Sequence, residues 1–105
     1  MKTRIKICGL TREEDVDAAV AAGADAIGFV FYAPSPRYVS SQRAAELARR
    51  IPPFVDVVGL FVNESPETVR AACAALPISI LQFHGDEDAA YCRQFARPYL
   101  RAARV

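Results

Sequence analysis

Cys8 is the first residue of this chain whose type and position suggest chemistry. It ends a short predicted strand and is followed by Gly9 and then by Thr11, a residue type that often caps a helix N-terminus. Backbone N–H groups at a helix start carry partial positive charge, which favours a thiolate over a thiol. A thiolate placed there can act as a general base. Buried cysteines also pack as small hydrophobic side chains, and position alone leaves both interpretations open.

Other polar side chains follow predicted strands, where parallel α/β proteins place their active sites. These candidates are Arg37, Asn63, Gln82 and His84. The guanidinium of Arg37, on a proline-stiffened loop, can bind a carboxylate through its planar fork, but solvated loop arginines are common. His84 can equally be a hydrogen-bonded residue at a strand end.

Three further groups of residues are expected to be structural. Cys73 and Cys92 fall on apolar helix stripes and should pack in the core. The acidic run of residues 86–88 should cap and charge-balance a helix N-terminus. The chain has a single histidine and no GxGxxG or Walker sequence. We therefore expect no metal site and no nucleotide-binding loop of these types.

Two hydrophobic periodicities alternate along the chain and predict the elements that position these residues. Strands are predicted over residues 4–8, 25–31, 55–62, 78–84 and 99–105. Thr11, Ser65 (before Pro66) and Asp86 are the predicted caps of helices, and Gly23 is a predicted helix stop. The buried helix stripes are predicted to comprise Val16, Ala19, Val20, Ala44, Leu47, Ala48, Ile51, Val69, Ala72, Cys73, Leu76, Ala89, Cys92 and Phe95.

Alternating strands and helices predict an α/β fold with a parallel sheet. Two architectures satisfy this pattern: an open five-stranded sheet, or the first half of a (β/α)8 TIM barrel with about four βα units and a fifth strand. Lys6 and Cys8 share one strand face, as do Gln82 and His84. Polar side chains suit the inner mouth of a barrel better than a sheet covered on both faces. We therefore interpret residues 1–105 as the amino-terminal part of a single barrel domain. Because the last predicted strand has no helix after it, we also expect this sequence to be a truncated part of that domain.

Composition excludes several classes of function. Of the 105 residues, 52% are hydrophobic, and 13 basic residues against 12 acidic ones leave a net charge of +1. No basic patch suggests a nucleic acid, and no apolar run approaches the ~20 residues of a membrane span. The three cysteines are widely separated, and the amino terminus does not resemble a signal peptide. We expect a cytoplasmic protein with no nucleic-acid or membrane partner.

Four segments, in order and covering nearly the whole chain, resemble the phosphoribosylanthranilate isomerase family: KICGLT, GFVFYAPSPRYVS, VGLFVNES and LQFHGDE. The resemblance implies a (β/α)8-barrel enzyme of tryptophan biosynthesis that needs no cofactor. It catalyses an Amadori rearrangement of N-(5-phosphoribosyl)anthranilate. The family's general base falls on Cys8, and Arg37 faces the anthranilate carboxylate. His84 and Gln82 lie in the QFHG segment near the substrate.

The resemblance also implies parts that these 105 residues lack. The family's general acid is an aspartate on the sixth strand, and its phosphate is held by loops after the seventh and eighth. We therefore expect the fragment alone to be inactive, and to associate with itself or with the missing carboxyl-terminal half. Two alternatives stay open: a non-catalytic parallel α/β binding module, and another phosphate-sugar isomerase or epimerase barrel.

Overall fold

Strands and helices alternate along residues 4–102, the part of the chain that the computed structural model describes. The strands are β1 (Lys6–Cys8), β2 (Ala26–Val30), β3 (Asp56–Phe61), β4 (Ile80–Phe83) and β5 (Tyr99–Arg101). The helices are α1 (Glu13–Ala21), α2 (Ser41–Ala48), α3 (Pro66–Ala75) and α4 (Ala89–Arg93). Every predicted element is present, although the strands are shorter than predicted. The last residues of the predicted fifth strand, 103–105, lie outside the described residues.

All neighbouring strands pair in parallel, and their order in the sheet is β1-β2-β3-β4-β5. An open doubly wound sheet reverses its strand order at one point and carries helices on both faces. Here the order never reverses, so right-handed crossovers place every helix on the same face. The sheet is therefore a partial barrel, as the sequence predicted.

The hydrophobic core lies between the helices and the outer face of the sheet. Its largest fully buried side chains include Phe29, Phe61 and Phe83, one from each of the central strands. Phe61 stacks on Phe31 with ring centroids 5.1 Å apart. The predicted stripes supply the helix side of this core, with the buried residues Val16, Ala44, Leu47, Ala48, Val69, Ala72, Leu76, Cys92 and Phe95. Ala89 is an exception, since it is exposed.

The inner face of the sheet is concave. A cavity of about 160 Å³ at its amino-terminal end is lined by side chains from all five strands, among them Lys6, Val58 and Leu100. In addition, Lys6 on β1 donates a hydrogen bond to Gln82 on β4. Strands in a flat sheet lie about 4.8 Å apart, so two side chains three strands apart would stand parallel and separate. Their contact follows from the curvature of the sheet.

Local signals for two helix boundaries are confirmed. Ser65 caps α3, its hydroxyl accepting the Thr68 N–H at 3.3 Å, with Pro66 in the first turn. Gly23 follows the end of α1 with φ +92°, a left-handed conformation that glycine adopts without steric cost.

Two predicted caps are wrong. The N-cap of α1 is Arg12 rather than Thr11, and it makes no side-chain capping bond. The cap of α4 is Asp88 rather than Asp86, and its carboxylate accepts the Tyr91 N–H at 2.7 Å. The helix begins later than predicted because the residues before Asp88 form a loop around the buried carboxylate of Glu87.

Candidate functional site

Cys8 is the last residue of β1, half-buried on the inner face at the carboxyl edge of the sheet. Its register partner is Gly28 on β2. A Cβ at Gly28 would lie 2.8 Å from Cys8 Sγ, so the missing side chain leaves the space that the thiol occupies. The sequence held a signal for this contact, because an isolated glycine within a strand often marks a close approach.

The structure corrects the expected relation between Cys8 and α1. Since Arg12 is the N-cap, four residues lie between Cys8 and Glu13, the first residue of the helix. The field of a helix terminus falls off within about one turn, so it contributes less at the thiol than a cap at Thr11 would.

Arg37 packs against Gly9, the residue that follows Cys8 in the chain. Gly9 has φ +83°, and a Cβ there would lie 2.5 Å from Arg37 Cδ and 3.3 Å from Nη1. The arginine side chain therefore crosses the bare backbone of Gly9. The Arg37 N–H also donates to Ser35 Oγ at 3.1 Å, which helps to hold the loop conformation. The geometry places the Arg37 side chain against the residue that follows Cys8, although Arg37 and Cys8 are 29 positions apart in the sequence.

Gln82 and His84 extend from the carboxyl end of β4. Gln82 Nε2 lies 2.6 Å from His84 Nε2, and Gln82 Oε1 accepts a hydrogen bond from Lys6. The backbone N–H of His84 donates to the Phe61 carbonyl at 3.0 Å. Lys6 was not among the sequence candidates, although its place on the Cys8 face of β1 was a usable signal.

Two neighbouring loops are tied together by a buried carboxylate that the sequence analysis assigned to helix capping. Glu87 is only 5% exposed, and its oxygens accept the Asn63 N–H at 2.7 Å and the Gly85 N–H at 2.8 Å. In return, Asn63 Oδ1 accepts the Asp86 N–H at 2.7 Å. Glu87 was expected only to balance charge at the helix start; its hydrogen bonds also join the loop after β3 to the loop after β4.

The remaining two cysteines belong to the core, as predicted. Cys92 is buried and Cys73 is partly buried against the core cluster. Burial raises the pKa of the Cys73 thiol and that of the Cys92 thiol. Both are poor sources of a thiolate near neutral pH, and this leaves Cys8 as the cysteine placed for chemistry.

Within residues 4–102, no group of three or more histidine, cysteine or acidic side chains is arranged to hold a metal ion. In the same part of the chain, no helix has the length and apolar character that crossing a membrane requires.

The fold and the site together define a parallel α/β protein of the (β/α)-barrel class, with its candidate chemistry at the carboxyl ends of the strands. Residues 5–103 match the family model described as N-(5'phosphoribosyl)anthranilate (PRA) isomerase. The chain belongs to the PRA isomerase family.

Relatives and solved structures agree with this assignment. An N-(5'-phosphoribosyl)anthranilate isomerase from Dechloromonas aromatica (strain RCB) is 90% identical over 105 residues, which are 100% of this chain and 50% of the relative. The crystal structure of phosphoribosyl anthranilate isomerase from Thermotoga maritima superposes with a TM-score of 0.94 at 42% identity, over 99% of this chain and 52% of that one. A further structure of the enzyme, in complex with reduced 1-(o-carboxyphenylamino)-1-deoxyribulose 5-phosphate, has the same TM-score of 0.94 and 42% identity, over 99% of this chain and 55% of that chain.

The chain spans about half the length of the curated relatives it matches. The same holds for the solved structures, of which it covers 52% to 55% in the two described above.

Proposed function

We propose that this chain supplies the amino-terminal half of a PRA isomerase. The enzyme converts N-(5-phosphoribosyl)anthranilate to 1-(2-carboxyphenylamino)-1-deoxyribulose 5-phosphate in tryptophan biosynthesis. The observation that carries the proposal is the family match over residues 5–103. The packing of Arg37 against Gly9, the residue after Cys8, also supports it.

In the proposed reaction, Cys8 is the general base. An acid protonates the furanose ring oxygen, the ring opens to a Schiff-base cation, and the Cys8 thiolate removes the proton from C2′. The electron pair of that C–H bond moves toward the cationic nitrogen, and the resulting enol then rearranges to the ketone. Because the adjacent cation makes C2′ acidic, a thiolate is a sufficient base for this step. The space beside Gly28 allows the thiol to lie within the mouth.

Arg37 is proposed to bind the anthranilate carboxylate. Its planar guanidinium makes two parallel hydrogen bonds to a carboxylate, which fixes the orientation of the aromatic ring. Since Arg37 crosses Gly9, the residue after Cys8, the bound substrate would lie next to the thiol. Gln82 and His84 are proposed to line the same mouth from β4.

The proposal divides the active site between two halves of one barrel domain, of which residues 1–105 form the first. The family resemblance assigns the general acid to a sixth strand and phosphate binding to later loops, whereas the described residues contain five strands. Activity therefore requires the second half. We also propose a cytoplasmic location, which the free thiols of Cys8, Cys73 and Cys92 support.

The test uses a joined protein, in which residues 1–105 are followed by the half of the Dechloromonas aromatica relative that this chain does not match. We expect the joined protein to turn over phosphoribosylanthranilate. Cys8→Ala should lower kcat by roughly 10²–10⁴-fold, the usual contribution of acid–base catalysis. Cys73→Ala is the matched control and should leave kcat unchanged. A joined protein that folds but has no isomerase activity would refute the proposed function, and near-normal turnover in Cys8→Ala would refute the base.

A further inference from the structure

Three polar side chains form a hydrogen-bonded row across the inner face of the sheet. Lys6 on β1 donates to Gln82 Oε1, and Gln82 Nε2 lies 2.6 Å from His84 Nε2. The amide oxygen of Gln82 therefore faces the Lys6 ammonium, and its amide nitrogen faces the His84 imidazole. This is a different role from the direct substrate contact expected from the sequence.

The chemistry of these groups determines the direction of each hydrogen bond. A lysine ammonium has three donors and no acceptor, so the atom of Gln82 that faces Lys6 must be the amide oxygen. The amide NH2 of Gln82 then faces His84, and an amide nitrogen only donates. For the contact to be a hydrogen bond, His84 Nε2 must be the acceptor. An unprotonated Nε2 means that a neutral His84 carries its proton on Nδ1.

We infer that Lys6 and Gln82 are positioning residues that hold His84 as the neutral Nδ1–H tautomer. In this state His84 is a hydrogen-bond donor through Nδ1 and is not a base through Nε2. Resting on the proposed function, the inference assigns to Nδ1–H an oxygen acceptor of the substrate, a carboxylate or a hydroxyl.

The tautomer can be read directly by NMR, without substrate. Long-range ¹H–¹⁵N correlation spectra of the joined protein distinguish a protonated ring nitrogen from an unprotonated one. The spectrum of His84→Gln identifies the pair of resonances that belongs to His84. At about pH 8.5, above the usual titration range of imidazole and below that of lysine, we expect a protonated Nδ1 and a bare Nε2. A protonated Nε2 in the unmodified protein would overturn the inference.

Three variants test the row itself. In Gln82→Glu a carboxylate, which only accepts, replaces the amide, so the tautomer should reverse to Nε2–H. Lys6→Met removes the donor that orients the amide, and a mixture of tautomers is expected. Lys6→Arg is the control, because a guanidinium also only donates and should preserve Nδ1–H. An unchanged tautomer in Gln82→Glu, or in Lys6→Met, would show that the row does not position His84.

Kinetics of the joined protein test the role assigned to Nδ1–H. The amide nitrogen of asparagine lies where Nδ1 lies in histidine, whereas that of glutamine lies nearer Nε2. We expect His84→Asn to retain the parent KM more closely than His84→Gln, which should raise it roughly 2- to 12-fold, the contribution of one hydrogen bond. The opposite order would overturn the substrate contact. A joined protein with the Nδ1–H tautomer but no turnover would refute the isomerase proposal alone.

Discussion

At the scale of single residues, two glycines leave the space that the candidate side chains occupy. Gly28 accommodates Cys8 Sγ, and Gly9 accommodates the aliphatic part of Arg37. Each glycine therefore determines where a neighbouring functional group lies, although it has no chemistry of its own. An alanine at Gly28 would displace the thiol, and an alanine at Gly9 would displace the arginine side chain. Neither change alters the functional side chain itself.

Gly28→Ala tests the space beside the thiol. The new Cβ would lie 2.8 Å from Cys8 Sγ and 3.3 Å from its Cβ, so the thiol has to move. Misplacing a reacting group by about 1 Å can lower the reaction rate by ~10²-fold. We therefore expect kcat/KM of the joined protein to fall about 10- to 100-fold. Gly23→Ala is the control. Its Cβ would meet nothing within 4 Å, but its φ of +92° strains the backbone, so stability should fall by about 1–2 kcal/mol with turnover unchanged. Parent-like turnover in Gly28→Ala would contradict the packing argument.

Arg37→Ala tests the proposed carboxylate contact. Hydrogen bonds to charged groups contribute about 1.5–3 kcal/mol, so KM should rise about 10- to 150-fold and more than kcat falls. Arg37→Lys should rescue only part of this loss, because a point charge does not reproduce the planar fork. Steady-state kinetics of the joined protein measure both effects. Arg49→Ala, at the exposed C-cap of α2, is the control. If all three variants have the parent KM, Arg37 is a solvated loop residue.

At the scale of elements, an ion pair joins the first two helices. Arg43 on α2 donates to both carboxylate oxygens of Glu13 on α1, at 2.6 Å and 2.7 Å. The hydrogen bonds from Arg43 hold the pKa of Glu13 at about 2, below the 4.5 of an unperturbed glutamate. Because the folded-state pKa is lowered, the stabilisation is present above about pH 4.5 and is lost as the pH falls toward 2.

Glu13→Gln tests this pH dependence. At pH 7 the joined protein with Glu13→Gln should unfold at a lower urea concentration than the parent joined protein. The difference should shrink between about pH 4.5 and pH 2, where the parent carboxylate becomes protonated. Glu14→Gln is the control, since its carboxylate lies 3.7 Å from Arg12 and joins no second helix. A difference that stays constant down to pH 2 would show that Glu13 acts through packing and not through its charge.

Glu87→Gln tests the connection between the loops after β3 and β4. The amide nitrogen of glutamine only donates, so either the Gly85 N–H or the Asn63 N–H would lose its acceptor. Leaving a buried donor unsatisfied costs about 1–3 kcal/mol, which chemical denaturation of the joined protein measures. The amide proton that loses its acceptor should also exchange faster. Exposed Glu67, in the first turn of α3, provides the control: Glu67→Gln should change stability by less than about 0.5 kcal/mol. Equal exchange rates in Glu87→Gln and the parent would refute the connection.

At the scale of the whole molecule, the sheet is open on two sides. Among the described residues, β1 pairs only with β2, and β5 pairs only with β4. Such edges present unpaired backbone groups to other chains. Ile5 and Leu100, which line the cavity at the amino-terminal end of the sheet, are each 50% exposed. These features predict a surface that is covered in the functional protein.

We expect the 105-residue chain alone to associate, either with itself or with the complementary half of a relative. It should show no isomerase activity, because the proposed acid and phosphate site belong to the other half. Sedimentation velocity measures association, and an assay with phosphoribosylanthranilate measures activity. Adding the complementary half of the Dechloromonas aromatica relative in trans should restore part of the activity of the joined protein. A stable monomer that turns over phosphoribosylanthranilate would contradict the division of the site.

Much of the fold could be predicted because its signals are local. Alternation of apolar stretches identified all the strands and helices, and Ser65 before Pro66 marked the start of α3 as the structure has it. The predictions failed where a distant contact overrode a local preference. Asp86 has a suitable type for a cap, but Glu87 accepts the Asn63 N–H from 24 residues away, and the N-cap of α4 is Asp88 instead.

The sequence by itself determined the parallel βα order, the family resemblance and the candidates Cys8, Arg37, Gln82 and His84. These depend on periodicity and on short motifs, which adjacent residues encode. Only the tertiary structure decided which residues the candidates contact, as Arg37 contacts Gly9 and Gln82 contacts Lys6. The physical reason is that such contacts depend on strand register and sheet curvature. Both arise from the packing of the whole sheet against its helices, so no short stretch of sequence specifies them.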